Sequence, residues 1–584
     1  MEQSRVLDGP AARSVVFDLA HGGSPASRER VVKPEGLWVR SRVVKIADRG
    51  LWGAALVLGL AFWCLPGLWA QEPSLREQRA FFKEAKSQLL NPSPSARASA
   101  VRKLSKLGTR EAWELIWEAL DDGQAEAADA AQLALRDCDA ERVLKKWAGR
   151  EGLRSKDLGR RWRLAETTGW LQGPFEAREL AAWLRAGDDE TTRLLLRSVE
   201  RLAQRGRIVG GSDRLVSRLA SLARSSRASG AVNGGALLAL AQVDASQVGS
   251  LALPAMRSKK PELRVGALLA LEEWVAQSQS DGRNGVGVSQ LEEGCRHLAA
   301  DDSVLVRRAL YSLLGRFPRR SSVELLVAAL KMEEAMRLRL QVIAALQELS
   351  GLRYRGDPRP WQAWLGELKP GPLPTPQRGS KTPQGEGRTA AEGSLRLPLN
   401  SDRVALLIDL SGSVQQKLKT GNTRKEALDQ YIRNTLKVLP VGTLFQLVPY
   451  AARPHPWPDE PEVADRRMGQ RAQEYYDDLH LAGTGDLWEA LELTLAGGEL
   501  DSVLILSDGA PTGGFHWDLG LFVQLTLERV RLAPVSFDLV LVDAGKRVTA
   551  HWKKLAEQTG GTLASVKLAA PKKQPAKKGR RSKR

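Results

Sequence analysis

The sequence predicts a chain of at least two domains, an all-α solenoid followed by an α/β domain built on a doubly wound parallel sheet. The chain has 584 residues, which is long for a single hydrophobic core. Residues 75–366 are rich in Ala, Leu and Arg at helical spacing, whereas residues 400–568 alternate apolar runs with helical segments. Residues 367–399, rich in Pro and Gly, predict a linker that lets the two domains move independently.

An uncharged apolar run, residues 51–70, precedes the predicted solenoid. Its basic flank, apolar core and Pro66-Gly67 are typical of an export signal cleaved before Gln71. The run is also long enough to be an uncleaved membrane anchor. Both interpretations place the rest of the chain outside the cytoplasm, as a secreted, periplasmic or membrane-anchored protein. Residues 1–50 are interpreted as disordered or as an extension from a start codon assigned too early.

The repeat signal between residues 75 and 366 is an Arg followed by apolar residues three, four and seven positions on. It begins at Arg97, Arg264, Arg307 and Arg339, with a looser copy at Asn233. Amphipathic helices of a non-repetitive domain produce similar spacing. From Asn233 onward, however, successive copies are 31, 43 and 32 residues apart, which favours helix-pair repeats. These motifs resemble HEAT repeats, and the resemblance implies an extended surface suited to protein binding.

Four apolar runs within residues 400–568 predict buried strands. They are Val404 to Ile408, Thr443 to Tyr450, Ser502 to Leu506 and Val535 to Val542. Helical periodicity is found over 425–439, 466–479, 487–495, 517–531 and 552–558. This alternation predicts a mainly parallel sheet with helices on both faces.

Oxygen-bearing side chains stand where these strands end or the next helices begin. They are Asp409, Ser411 and Ser413 in the run D-L-S-G-S, Thr484 in A-G-T-G-D, and Asp508 in L-S-D-G. Asp and Ser also populate ordinary turns and helix caps, but all five would lie at the carboxyl edge of the sheet, where ligands bind. Such oxygens suit Mg²⁺, with Mn²⁺ or Ca²⁺ as alternatives. Because three of the five are neutral, the cation would remain electron-poor and would accept a carboxylate from a partner.

These three motifs resemble the metal-ion-dependent adhesion site of von Willebrand factor A domains, which combines D-x-S-x-S, a Thr in a G-T turn and an Asp in a strand-D-G turn. The segment 555–563 (L-A-E-Q-T-G-G-T-L) also resembles the closing helix and strand of that family. The resemblance implies a Rossmann-like domain that holds Mg²⁺ and recognises an acidic residue of a protein ligand. With the export segment and the HEAT-like helices, the domain order is similar to that of exported bacterial proteins of the planctomycete type.

The C-terminal end carries a concentrated positive charge. The formal net charge of the chain is +19, and residues 571–584 contain eight Lys or Arg and no acid. We therefore predict a disordered basic tail over residues 569–584. It could bind an anionic envelope polymer or lipid headgroups. Because the export segment argues against a nuclear role, we do not expect nucleic acid as a partner.

The residues that enzymes use form no recognisable set in this sequence. There is no G-x-x-x-x-G-K-[ST] phosphate loop and no H-E-x-x-H, and the six His are scattered. Cys138 and Cys295 are interpreted as buried free thiols. The predicted function is therefore non-enzymatic: an exported adhesion or scaffold protein that captures an acidic partner through a bound cation. The alternatives are a polyanion-binding envelope protein driven by the basic tail, and an accessory subunit of an ATPase complex.

Overall fold

The computed structural model describes residues 74–185, 187–280, 288–373, 401–417, 421 and 423–567, with only the backbone for 276–280. The predictions for residues 1–50, 51–70 and 569–584, and for most of the linker, lie outside these ranges. Within them, no helix combines the length and the apolar character needed to span a bilayer. Cys138 and Cys295 are buried free thiols, as predicted.

The N-terminal region is an all-α solenoid, which confirms the first half of the predicted fold class. A short parallel pair, β1 (Phe175–Glu176) and β2 (Ile208–Val209), is inserted in it. The α-helices described there are α1 Leu75–Gln88, α2 Pro94–Leu107, α3 Arg110–Glu118, α4 Ala125–Leu135, α5 Glu141–Trp147, α6 Leu158–Thr168, α7 Ala177–Trp183, α8 Asp189–Gln204, α9 Asp213–Ala223, α10 Gly230–Val243, α11 Val248–Ala255, α12 Pro261–Ser280, α13 Val288–Leu298, α14 Val304–Arg316, α15 Arg320–Met332, α16 Met336–Ser350 and α17 Pro358–Glu367. Helices α6, α8, α10, α12, α14 and α16 pack in series and form one layer of the solenoid.

The repeated Arg has the same structural role in each copy of the motif. It is the fourth residue of its helix, and its Nη1 donates a hydrogen bond to the backbone carbonyl six residues earlier in all four copies. Three of the four also pair with a carboxylate: Arg97 with Asp122 at 2.6 Å, Arg264 with Asp301 at 2.7 Å and Arg307 with Glu333 at 2.9 Å. The guanidinium therefore fixes the turn that precedes its helix, which explains why the motif recurs once per helix pair.

The C-terminal region is a six-stranded sheet in the order β5-β4-β3-β6-β7-β8, parallel except for β5. Its strands are β3 Arg403–Asp409, β4 Leu444–Tyr450, β5 Trp457–Val463, β6 Ser502–Ser507, β7 Ser536–Val542 and β8 Leu563–Val566. Its helices are α18 Gly412–Gln415, α19 Arg424–Leu436, α20 Met468–Asp478, α21 Leu487–Ala496, α22 Leu519–Arg529 and α23 Lys546–Thr559. The doubly wound sheet of the predicted fold class is thus confirmed.

Alternate residues of the central strands enter two separate cores. Leu407 of β3 and Ile505 of β6 pack with α21, α22 and α23, whereas Leu406 and Leu504 pack with α19 and α20. Both faces of these strands are therefore buried, which explains their unbroken apolar runs. Strand β5 was not anticipated: its sequence W-P-D-E-P-E-V contains two Pro and three acids, which an exposed edge strand tolerates.

The expectation that the solenoid and the sheet domain move independently is wrong, because the two belong to one compact unit. Arg308 of α14 donates to Ser536 Oγ at 2.7 Å and to the Thr559 carbonyl at 2.9 Å. Arg337 of α16 pairs with Asp538 at 2.6 Å, and both side chains are about 8 % exposed. Buried charged contacts of this kind constrain orientation, so the length of the linker does not set the domain geometry.

Candidate metal centre

The first loop of the candidate site turns back on its own carboxylate. Strand β3 ends at Asp409, whose Oδ1 accepts a 2.9 Å hydrogen bond from the Ser411 amide. Ser411 is the N-cap residue of the short helix α18, and the next amide, of Gly412, donates to the Gly483 carbonyl at 2.8 Å. This last contact joins the D-L-S-G-S loop to the loop that carries Thr484.

Four of the five predicted ligands are connected by hydrogen bonds. The hydroxyls of Ser411 and Ser413 lie 3.0 Å apart, and Ser413 Oγ donates to Asp508 Oδ1 at 3.0 Å. Asp508 directly follows β6, which is the neighbour of β3 in the sheet. The structure therefore brings Asp409, Ser411, Ser413 and Asp508 together at the carboxyl edge of the two central strands.

Thr484 lies beside this group, but its hydroxyl is not part of the same network. Among the described residues, no hydrogen bond joins Thr484 Oγ1 to the other four side chains. Its loop is nevertheless packed closely against the glycines of the Asp508 loop. A Cβ placed on Gly513 would lie 2.7 Å from Thr484 Oγ1, and one on Gly514 would lie 2.0 Å from Asp486 Oδ1. The G-G pair of that loop is therefore required for the two loops to approach.

The two carboxylates are buried without full compensation of their charge. Burial raises the pKa of Asp409, which is 4 % exposed and accepts from Ser507 Oγ at 2.7 Å. Burial and the nearby Asp409 carboxylate raise the pKa of Asp508. Two acids whose ionised forms are disfavoured in this way form a site that a cation would stabilise.

The donor set fits a hard divalent cation. Arg424 contacts Asp508 at 3.4 Å and Asp543 at 3.7 Å. Together with Asp409, these three carboxylates and one guanidinium leave a formal charge of −2 when all are ionised. These carboxylates do not lie close enough together to form a metal site by themselves, and the described ranges hold no other group of three or more His, Cys, Asp or Glu that could, so hydroxyl oxygens would have to complete the shell. Oxygen-only ligation of this kind suits Mg²⁺, Mn²⁺ or Ca²⁺ better than Zn²⁺.

Sequence reasoning missed several residues that support the site. Tyr450, at the end of β4, is fully buried and its hydroxyl interacts with Asp409 and Ser507. Burial and the Asp409 charge raise the pKa of Tyr450 well above its usual value, so it remains a hydrogen-bond donor. Thr512 Oγ1 accepts from the Gly485 amide at 2.7 Å and fixes the Thr484 loop. For these residues, the only signal in the sequence was a position at or shortly after the end of strand β4 or β6.

The solenoid fixes the far end of the loop that begins at Asp508. Asp129 of α4 is fully buried and accepts from the amides of Trp517 at 2.7 Å and Asp518 at 2.8 Å. It also accepts from His516 Nδ1 at 3.1 Å and Arg163 Nη1 at 2.5 Å. Burial would raise the pKa of Asp129, but these partners outweigh it and lower the pKa to about 2. His516, which is 3 % exposed, is part of this buried contact.

Comparison with known proteins adds little to this geometry. No family model and no curated protein matches the chain. Among solved structures, proximal thread matrix protein 1 of the mussel byssus is 17 % identical over 28 % of this chain and 41 % of that one, with a TM-score of 0.21. The CpcE–CpcF complex of phycocyanin lyase from Nostoc sp. is 16 % identical over 51 % of this chain and 97 % of that one, with a TM-score of 0.25. The RO (RSR) protein of Deinococcus radiodurans is 15 % identical over 80 % and 90 %, with a TM-score of 0.18. None of these similarities supports a functional argument.

Proposed function

We propose that the sheet domain is a binding domain of the von Willebrand factor A type, which captures an acidic group of a protein partner through a divalent cation. The observation that carries the proposal is the meeting of Asp409, Ser411, Ser413 and Asp508 at the carboxyl edge of β3 and β6, with both carboxylates buried and only partly neutralised. We name Mg²⁺ as the cation, with Mn²⁺ or Ca²⁺ as alternatives.

Each side chain has a distinct part in this proposal. Asp409 and Asp508 would supply the charge that attracts the cation, while Ser411, Ser413 and Thr484 would supply neutral oxygens. When bound, the cation supplies an electrophilic centre for an incoming carboxylate. The chain's own residues orient that centre, because Ser507 and Tyr450 form hydrogen bonds with the Asp409 carboxylate and fix its position. No nucleophile or general base is assigned, and we propose a non-enzymatic role.

The solenoid in this proposal is a support for the metal centre. Its buried Asp129, Arg308 and Arg337 are engaged by the sheet domain of the same chain. The surface that the HEAT-like repeats were expected to offer to other proteins is thus partly occupied within the molecule. We propose a scaffold that presents the metal centre outside the cytoplasm, by secretion or through residues 51–70 as an anchor.

The first test is direct cation binding by the full-length chain. Titration with Mn²⁺, followed by the electron paramagnetic resonance signal of the free ion, should show one site per chain. Asp409→Ala and Asp508→Ala should each weaken binding at least ~tenfold, since each removes a charged ligand. Asp478→Ala is the matched control because Asp478 is an exposed acid of the same domain. Equal Mn²⁺ affinity in all four proteins would contradict the proposed centre.

The second test concerns the partner. Proteins of an envelope extract should be retained by the chain in Mg²⁺ and released by EDTA, and Asp508→Ala should not retain them in either condition. If retention instead persists in EDTA, falls steeply with salt and disappears on deletion of residues 571–584, the basic tail is the binding element. Co-purification of a separate ATPase would support the accessory-subunit alternative.

A further inference from the structure

A guanidinium lies directly against the candidate metal centre. Arg424 is the first residue of α19, and its Nη1 lies 3.4 Å from Asp508 Oδ2 and donates to the Ser413 carbonyl at 3.2 Å. Its Nη2 lies 3.7 Å from Asp543 Oδ2. The same side chain therefore contacts two of the loops that form the centre and a third that follows β7.

The two oxygens of Asp508 face different partners. Oδ1 accepts from the hydroxyl of the predicted ligand Ser413 at 3.0 Å, whereas Oδ2 faces Arg424. The side chain of Asp508 is 8 % exposed and that of Arg424 is 21 % exposed. Because both side chains are largely shielded from solvent, the charge of Arg424 acts on this carboxylate with limited screening.

We propose that Arg424 sets the cation affinity of the centre by holding part of the Asp508 charge. The inference rests on the proposed function, since it concerns the same cation. A guanidinium that cannot lose its proton contributes a permanent positive charge beside the place where a divalent cation would bind. That charge repels the cation and competes for Asp508. The centre is thereby kept at a lower affinity than its carboxylates alone would give.

Arg424 thus lowers the cation affinity of the centre and is not a ligand of the cation. A neutral side chain of similar length removes the repulsion, whereas a Lys retains the charge. We expect Arg424→Gln to bind Mn²⁺ about tenfold more tightly than the wild type, as expected for removal of one nearby like charge in a partly buried site. Arg424→Lys should stay within about threefold of the wild type.

The experiment is a Mn²⁺ titration of the full-length chain by the same resonance method. Arg433→Gln is the matched control: Arg433 is on the same helix, and its side chain is 53 % exposed and pairs with Asp477 at 3.5 Å, away from the centre. Its affinity should equal that of the wild type. Circular dichroism melting of each variant checks that α19 is intact.

The possible outcomes separate this inference from the proposed function. If the wild type binds Mn²⁺ and Arg424→Gln binds it equally or more weakly, Arg424 merely positions Ser413 and Asp508 and the inference is overturned. If Arg424→Lys tightens binding as much as Arg424→Gln, charge is not the cause and the inference also fails. If neither the wild type nor Arg424→Gln binds Mn²⁺, the proposed function itself is rejected.

Discussion

Two buried polar clusters in this molecule differ in how completely their carboxylates are paired. Asp129, between the solenoid and the sheet domain, accepts hydrogen bonds from two backbone amides, a histidine and an arginine, and its pKa is lowered to about 2. Asp409 and Asp508, at the edge of the sheet, have raised pKa values. The first cluster is complete without any ligand, whereas the second would gain from an added cation. Complete pairing indicates a structural role and incomplete pairing indicates a binding role.

One loop connects the two clusters. It begins at Asp508 in the candidate metal centre and ends at Trp517 and Asp518, whose amides donate to Asp129. Between them, the Phe515 carbonyl accepts from Arg163 at 2.6 Å. The Asp129 cluster thus fixes the far end of the loop that begins at Asp508. Substitutions in the two clusters should therefore change the stability of the protein in opposite directions.

The largest expected effect is that of Asp129→Ala. The substitution leaves the Arg163 guanidinium, which is about 4 % exposed, without its carboxylate and leaves two amides without their acceptor. Loss of one member of a buried ion pair costs about 3–5 kcal/mol. The free energy of unfolding, measured by urea denaturation, should fall by that amount.

Asp137→Ala is the control for this measurement, because Asp137 is an exposed acid just beyond the same helix. It should change the free energy of unfolding by less than ~0.5 kcal/mol. An equally small effect of Asp129→Ala would mean that the contact between solenoid and sheet domain contributes little to stability.

Asp409→Asn should instead raise the free energy of unfolding in the absence of metal. The Asn oxygen can accept from the Ser411 amide and its NH₂ group can donate to Ser507 Oγ, so two of the hydrogen bonds of Asp409 can be kept. Removal of a disfavoured buried charge should raise the free energy of unfolding in EDTA by about 0.5–2 kcal/mol, the usual range for stabilising substitutions. With saturating Mg²⁺, only the wild type should gain stability, by about 2.7 kcal/mol at a hundredfold excess over Kd. A variant that is less stable in EDTA would indicate that Asp409 is structural.

The two clusters should respond to pH in opposite directions. Burial, which outweighs the attraction of Asp129, lowers the pKa of His516 below its usual 6.5. The unfolded chain then binds a proton near pH 6.5 that the folded chain does not, so this stabilisation is present above pH 6.5 and is lost as pH falls. Asp409 and Asp508 have raised pKa values, so their contribution is present at low pH and is lost as pH rises through those values.

His516→Gln tests the first half of this comparison. Gln cannot titrate, and its amide can still donate to Asp129, so the loss of stability between about pH 7 and pH 6 should shrink, by less than about 1 kcal/mol. Thermal melting in EDTA at each pH gives the measurement, and His480→Gln, at an exposed histidine, is the control. If His516→Gln and the wild type lose stability equally as pH falls, the protonation of this histidine does not differ between the folded and unfolded states.

How much of this could be read from the sequence differs between the two clusters. The positions of the five predicted ligands could be anticipated because each follows a strand or precedes a helix, so sequence order alone places them at one edge. Four of the five do meet, and Thr484 lies beside them without joining the hydrogen-bond network. The contact of Asp129 with His516 was not predictable, since the two are 387 residues apart and neither lies in a recurring motif.

The same distinction explains the error about independent domains. Arg307 and Arg339 recur at helical spacing and act within the solenoid, so their pattern was visible in the sequence. Arg308 and Arg337 sit one or two positions away on the same helices and instead bind the sheet domain. Composition of the linker describes only the chain between the domains. It carries no information about complementary charges on two folded surfaces.

The smallest expected effect is that of Thr512→Val, which tests whether loop position alone affects the centre. Thr512 Oγ1 accepts from the Gly485 amide at 2.7 Å but is not a proposed ligand, and Val preserves the size of the side chain. Loss of this one hydrogen bond costs about 1 kcal/mol and lets the Thr484 loop shift. We expect Mn²⁺ affinity to fall about two- to fivefold, with the free energy of unfolding in urea lowered by no more than about 1 kcal/mol. Thr549→Val, at a helical Thr whose hydroxyl donates to the Gly545 carbonyl, should change neither quantity. If Thr512→Val leaves Mn²⁺ affinity unchanged, the Thr484 loop does not contribute to the centre, and the cation would be held by Asp409, Ser411, Ser413 and Asp508 alone.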